Sequence, residues 1–129
     1  MLHRVIYASE AVGTTGASTL SIAQILGVSE ANNRRDHLTS CMMLHGGQIL
    51  QVIEGGRNDV DRLMRRLLLD PRHTRLRILS DTPVPTRRVE GAMTLCPDPA
   101  AMLQRIGLPC ISRITAPQAE SILEMSLAA

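Results

Sequence analysis

Tryptophan and phenylalanine are absent from these 129 residues, and tyrosine occurs once, as Tyr7. Aromatic rings usually supply the large surfaces that cores and interfaces bury, so a core here must be filled by Leu, Ile, Val and Met. Single-stranded nucleic-acid binding by base stacking is disfavoured for the same reason. Lysine is missing too. All 14 basic residues are Arg, set against 12 Asp and Glu, for a net charge of +2. That near balance gives no strong pull on nucleic acid, while every cation is a planar fork suited to oxygen acceptors. Three cysteines, Cys41, Cys96 and Cys110, form neither an even framework nor a CxxC pair, which argues for reduced thiols in a cytoplasmic protein. His3, His37, His45 and His73 lack metal-ligand spacing, so no metal site is expected. No stretch approaches the roughly 18 apolar residues of a membrane span, and the N-terminus has no charged region followed by a long apolar block. The expected protein is one unexported domain with one core and no membrane segment.

The pattern that is present alternates strand and helix signals. Residues 3 to 9 read as a strand with Val5, Tyr7 and Ser9 on one face and Arg4, Ile6 and Ala8 on the other. After a Gly, Thr and Ser loop, Ser18 or Thr19 can cap a helix containing Leu20, Ala23, Ile25 and Leu26, continuing to about Asp36. Ser29, Asn32, Asn33 and Asp36 then lie along one polar helix face. Leu38 to Leu44 and Gln48 to Ile53 form a hairpin around His45-Gly-Gly47, with Ile49, Gln51 and Ile53 on one face. A second helix is expected with Asn58 as its cap and Val60, Leu63, Met64, Leu67 and Leu68 on its apolar side. Pro71 ends it. Arg75 to Ser80 gives a fourth strand, Thr82-Pro-Val-Pro85 a turn, and a short fifth run lies around Met93. Residues 96–129 carry helical patterns at Ala100 to Ile106 and Ala116 to Ser126, expected as a helical cap over the sheet's other face.

The order β-α-β-β-α-β-β predicts an α+β ferredoxin-like sandwich, with two helices on one face of a mainly antiparallel sheet. Its third strand lies beside its first, which makes Tyr7 and Gln51 neighbours. A glutamine on an apolar strand face costs on the order of 1 to 3 kcal/mol if its amide is unmatched. The Tyr7 phenol can supply one bond and leave the rest for a ligand. Asn32 and Asn33 add carbonyl and amide groups, and Arg66 can meet an acceptor oxygen. Together these describe a slot for a flat heteroaromatic ring with alternating donors and acceptors. Taken singly, each residue has a plainer reading. Tyr7 fits a buried, satisfied tyrosine, Gln51 an edge residue, Asn32-Asn33 a helix end, and Arg66 with Asp70 a surface ion pair.

Five segments in order carry a family resemblance over residues 3 to 95. They are Arg4-Val-Ile-Tyr-Ala-Ser9, Asn32-Asn33 with Leu38-Thr39, Leu50-Gln-Val-Ile-Glu-Gly55, Asp70-Pro-Arg-His73, and Pro85-Thr-Arg-Arg88 before Met93. In these the chain resembles a BLUF domain, the blue-light sensor that holds a flavin between two helices. The resemblance implies a flavin-binding domain over residues 1–95, with FAD as cofactor and FMN as the alternative. It implies that Tyr7 is the electron and proton donor and that Gln51 bridges the phenol to the flavin N5 and O4 edge. Asn33 would hold the pyrimidine edge, with Ser29 and Asn32 beside it. Arg66, Asp70 and His73 would lie toward the cofactor's polar end, and Met93 would relay the change. Three positions depart from the family pattern: Gly91 or Ala92 stands where Trp is common, Ser40 where Gly is usual, and Leu50 where Phe is frequent.

The function this implies is a photoreceptor without ordinary turnover. No effector-sized segment follows residue 95, so the output is expected to pass through homo-oligomer contacts or a separate signalling protein. A flavin-free or light-insensitive interaction module of the same fold is the alternative. An acylphosphatase-like hydrolase lacks an anion-cradling loop, and fold alone does not promote it.

Overall fold

A computed structural model describes residues 1–12 and 29–128 of the chain. The expected helix start at Ser18 or Thr19 lies outside the described residues. Residues 29–35 are helical and form α1 as described here. Five strands follow the expected order: β1 (Leu2–Ala11), β2 (Thr39–His45), β3 (Gln48–Gly56), β4 (His73–Val84) and β5 (Thr94–Leu95). The other helices are α2 (Arg57–Leu69), α3 (Pro99–Arg105) and α4 (Ala116–Ala128), with a short 3-10 turn at Ile111–Arg113. The sheet order is β4-β1-β3-β2-β5. All pairings are antiparallel except β2 with β5.

Central position explains the composition of β1. It has neighbours on both sides, and both of its faces are covered, so Val5, Ile6, Tyr7 and Ala8 are all buried. One face of the sheet packs Val5, Tyr7, Met42, Ile49 and Ile53 against Val60 and Met64 of α2. The other packs Ile6, Ala8, Met43, Leu50 and Val52 against Met102, Leu103, Ile111, Ala119, Ile122 and Leu123. The C-terminal helices thus cover the second face, and methionines fill both layers in place of aromatics. Gly46 and Gly47 take φ of 58° and 74° in the β2–β3 turn. Backbone conformation alone demands glycine there, since a Cβ at either position would meet nothing within 4 Å.

Local differences from the sequence reading have physical causes. Strand β3 runs directly into α2, so Gly56 is the N-cap and Asn58 lies inside the first turn, with Asp59 supplying the favourable negative charge. Leu68, expected on the apolar side, is 62% exposed, and only Val60 and Met64 of that helix are fully buried. Strand β4 runs through Thr82-Pro83-Val84, where a turn was expected. Proline is tolerated because β4 is an edge strand, and Pro83 sits opposite His3 without having to donate outward.

Candidate functional site

Register brings the central pair together. Tyr7 lies directly opposite Gln51 across the β1–β3 ladder, and directly opposed side chains on one sheet face are in contact range. The Tyr7 hydroxyl donates to Gln51 Oε1. Both residues are buried, at 1% and 2% exposure. Because Oε1 faces the phenol, Gln51 Nε2 faces away from it and meets no acceptor among the described residues.

Burial, and then the nearby Asp70 carboxylate, push the Tyr7 phenol well above its ordinary value, with Arg72 acting in the opposite sense. The resting phenol is therefore fully protonated. A folded pKa above the unfolded value of about 10 means that this contribution to stability is complete below that pH and lost as pH rises above it. As the only tyrosine, Tyr7 gives an unambiguous optical titration. The folded protein is expected to show no tyrosinate absorption just above pH 10, and unfolding at the same pH should release the phenolic proton. A tyrosinate band in the folded protein at that pH would contradict the buried, hydrogen-bonded phenol.

His73 packs edge-on against Tyr7, with ring centroids 6.2 Å apart. Its Nε2–H donates to Leu67 O at 2.6 Å, since a carbonyl can only accept, so in the neutral ring Nδ1 accepts from Ser9 Oγ at 2.8 Å. His73, the first residue of β4, thus ties the end of α2 to β1 beside Tyr7.

Asn33 comes from α1 and is 1% exposed. Its Nδ2 donates to Ala92 O at 2.8 Å and to Ser40 Oγ at 3.2 Å, which leaves Oδ1 without a donor among the described residues. Ser29 and Asn32 are half-buried. Met93 packs against the apolar layer around Tyr7, and its Sδ lies 3.3 Å from Ser40 Oγ.

Arg66 and Asp70 do not pair with each other. Arg66 crosses to Asp36 at 3.3 Å, where Arg35 and Arg62 also converge. Arg35 first, and then Arg66, hold the Asp36 carboxyl below the usual range. Asp70 instead grips Arg72 at 2.5 Å, and that bond holds its own carboxyl low.

Two residues at the centre of the hydrogen bonding were not singled out by sequence reasoning for the roles they have. Ser40 was noted only as a departure from a glycine. Glu54 carries a signal in the sequence itself, a carboxylate on an otherwise apolar strand. Glu54 is fully buried and accepts from Arg4 Nε at 2.8 Å, Arg88 N at 2.8 Å and Val89 N at 2.7 Å.

The donor set fits a flat ring with alternating acceptors and donors. Among the described residues the Gln51 N–H groups meet no acceptor and the Asn33 carbonyl oxygen meets no donor, while Tyr7, Met42, Ile49, Ile53 and Met64 supply apolar surface on the same sheet face. Such a set suits a flavin ring. No helix among the described residues is long and apolar enough to cross a membrane.

Comparison with known proteins points the same way. The family model described as "BLUF: Sensors of blue-light using FAD" matches residues 2–93. The photoactivated adenylate cyclase subunit beta of Euglena gracilis is 30% identical over 90 residues, which cover 70% of this chain and 10% of the cyclase. The chain therefore spans about a tenth of the length of that curated relative. Among solved structures, the BLUF protein BlrB in its dark state superposes with a TM-score of 0.80 at 25% identity, covering 98% of this chain and 95% of BlrB. BlsA in its photo-activated state gives 0.88 at 17% identity, over 100% of this chain and 96% of BlsA, a likeness of fold. A bacterial light-regulated adenylyl cyclase gives 0.73 at 31% identity, over 82% of this chain and 32% of the cyclase.

Proposed function

The chain belongs to the BLUF family of blue-light sensors that use FAD, and on that premise we propose that Tyr7, Gln51 and Asn33 hold a noncovalent flavin and turn absorbed light into a hydrogen-bond rearrangement. The observation that carries this reading is the buried Tyr7–Gln51 bond, which engages the carboxamide oxygen and leaves its N–H groups without an acceptor among the described residues. A bound flavin would supply the blue-light absorption and the electron- and proton-accepting chemistry.

The rest is the work of this chain's side chains. Tyr7 gives up one electron and its hydroxyl proton and receives both back once Gln51 has rearranged, so the cycle has no net product and what reverses in the dark is the hydrogen bonding. Its high resting pKa makes proton loss alone unfavourable, and the proton leaves because loss of an electron acidifies the phenol. Gln51 carries the rearrangement. Its terminal torsion is broad and roughly two-fold, and turning the carboxamide replaces an acceptor facing Tyr7 with a donor. Asn33 fixes the ring's pyrimidine edge through Oδ1, with Ser29 and Asn32 flanking it. Arg66, Asp70 and His73 serve the cofactor's polar end, and Met93 passes the change to the segment before β5. FAD is the cofactor in this reading, with FMN the alternative. The protein is a cytoplasmic homo-oligomer, not an enzyme, and its output is contact with a separate signalling protein.

Purification followed by heat release and chromatography of the bound chromophore tests the binding step. About one FAD per chain is expected. A colourless protein that cannot be loaded with FAD or FMN would overturn the proposal and favour a flavin-free interaction module, in keeping with the two-residue β5 and the missing Trp.

A further inference from the structure

We propose that Ser40 is a positioning residue of the light switch, a hydroxyl rotor that ties Asn33 to Met93 and sets how fast the switched state decays. The inference rests on the flavin reading above. Ser40 has no exposed surface, and both its backbone and its side chain engage residues 91 to 94. Its N–H donates to Gly91 O at 3.0 Å, and its carbonyl accepts from Thr94 Oγ1 at 3.2 Å. Strand β5 pairs with β2 only through Cys41–Thr94 and Met42–Leu95, so these extra bonds fix the register of a very short strand. The turn they close is tight. A Cβ at Gly91 would lie 2.6 Å from the Thr94 methyl group, and Thr94 is itself held by Ser40.

The side chain adds a choice between two states. Ser40 Oγ accepts from Asn33 Nδ2 at 3.2 Å and has two acceptors for its one proton, Ala92 O at 3.2 Å and Met93 Sδ at 3.3 Å. A hydroxyl carries a single donor hydrogen, so the two bonds compete. Ala92 O also receives the closer bond from Asn33, whereas within this cluster the Met93 sulfur is met by Ser40 alone. Any change at Asn33 or Met93 therefore shifts the rotor, and the rotor in turn holds Met93 in place. In this way the hydroxyl fastens a segment that offers no large side chain of its own at residues 91 and 92.

The test compares FAD-loaded wild type, Ser40→Ala, Met93→Leu and the double variant by blue-light absorption change and dark recovery. Ser40→Ala is expected to show the light-induced shift and to recover about five-fold faster, the rate equivalent of one net hydrogen bond. If Ser40 acts through the Met93 sulfur, Ser40→Ala adds nothing further to Met93→Leu, because residues that work as a unit are not additive. Additive effects, or wild-type recovery in Ser40→Ala, would overturn the inference. If Ser40→Ala does not fold, Ser40→Cys takes its place, with a weaker donor in the same position and faster recovery expected. A wild type that binds flavin without any light-induced shift would instead overturn the reading on which this one rests.

Discussion

The Tyr7→Phe protein is expected to bind flavin, remain yellow and show no light-induced spectral shift. Phenylalanine keeps the ring that packs beside Ile53, Met42 and His73 and removes only the hydroxyl. The apolar slot therefore survives, and the Gln51 and Asn33 groups proposed to face the flavin stay in place. What disappears is the bond to Gln51 Oε1 and, with it, the only phenolic electron and proton donor in the chain. No other tyrosine or tryptophan can substitute, so the loss should be essentially complete, more than about a hundredfold, since removal of an essential proton donor removes a term of that size or larger. Stability should fall modestly, because one buried acceptor on Gln51 is left unpaired, at a cost of about 1 to 3 kcal/mol. Absorption spectra under blue light and a denaturation curve check the two parts separately.

The second large effect concerns stability. Glu54→Ala is expected to destabilise the fold by about 3 to 5 kcal/mol, the cost of removing one partner from a buried charged cluster. The Glu54 carboxylate is the shared acceptor for Arg4 from β1 and for the backbone N–H groups of Arg88 and Val89. Its loss leaves the largely buried Arg4 guanidinium with only the longer contact to Glu120, at 3.9 Å, and strands two backbone donors. The neighbouring Arg87 also reaches back to Glu54 O at 2.8 Å and His37 O at 2.6 Å, and Arg88 pairs with Glu124 on α4 at 2.6 Å. The connection between β4 and β5 is thus fastened to β3 and to the C-terminal helices around one carboxylate. Set against a typical domain stability of about 5 to 15 kcal/mol, the effect is visible as a lowered urea midpoint. Glu54→Gln should lose less, because one oxygen can still accept from the two backbone N–H groups while the amide faces Arg4. Midpoints for both variants within error of wild type would contradict the clustered role of Glu54.

Much of this was legible in the sequence, because strand periodicity and the paired glycines fix which residues share a face. Alternation along β1 and β3 put Tyr7 and Gln51 on one side, and the strand order made them partners. Their direct cross-strand opposition follows from register. Short-range signals failed where neighbours decided the outcome. Asn58 looks like a cap only if α2 starts from a loop, yet β3 enters that helix without one. Pro83 reads as a turn unless it is known that β4 has a free edge. Arg66 and Asp70 have the spacing of an ion pair, but Asp36 and Arg72 are better placed partners in three dimensions. Ser40 could not be found by pattern, because its importance comes from a contact with residues more than fifty positions away.

The proposed light switch depends on a phenol and a carboxamide acting together on a bound flavin. The most direct measurement is the light-minus-dark absorption spectrum of the FAD-loaded wild type, recorded beside that of Tyr7→Phe. A shift to longer wavelength that reverses in darkness, present in the wild type and missing from the variant, is the expected result. A shift of equal size in both proteins would contradict the assignment of Tyr7 as the donor and, with it, the mechanism drawn from its bond to Gln51.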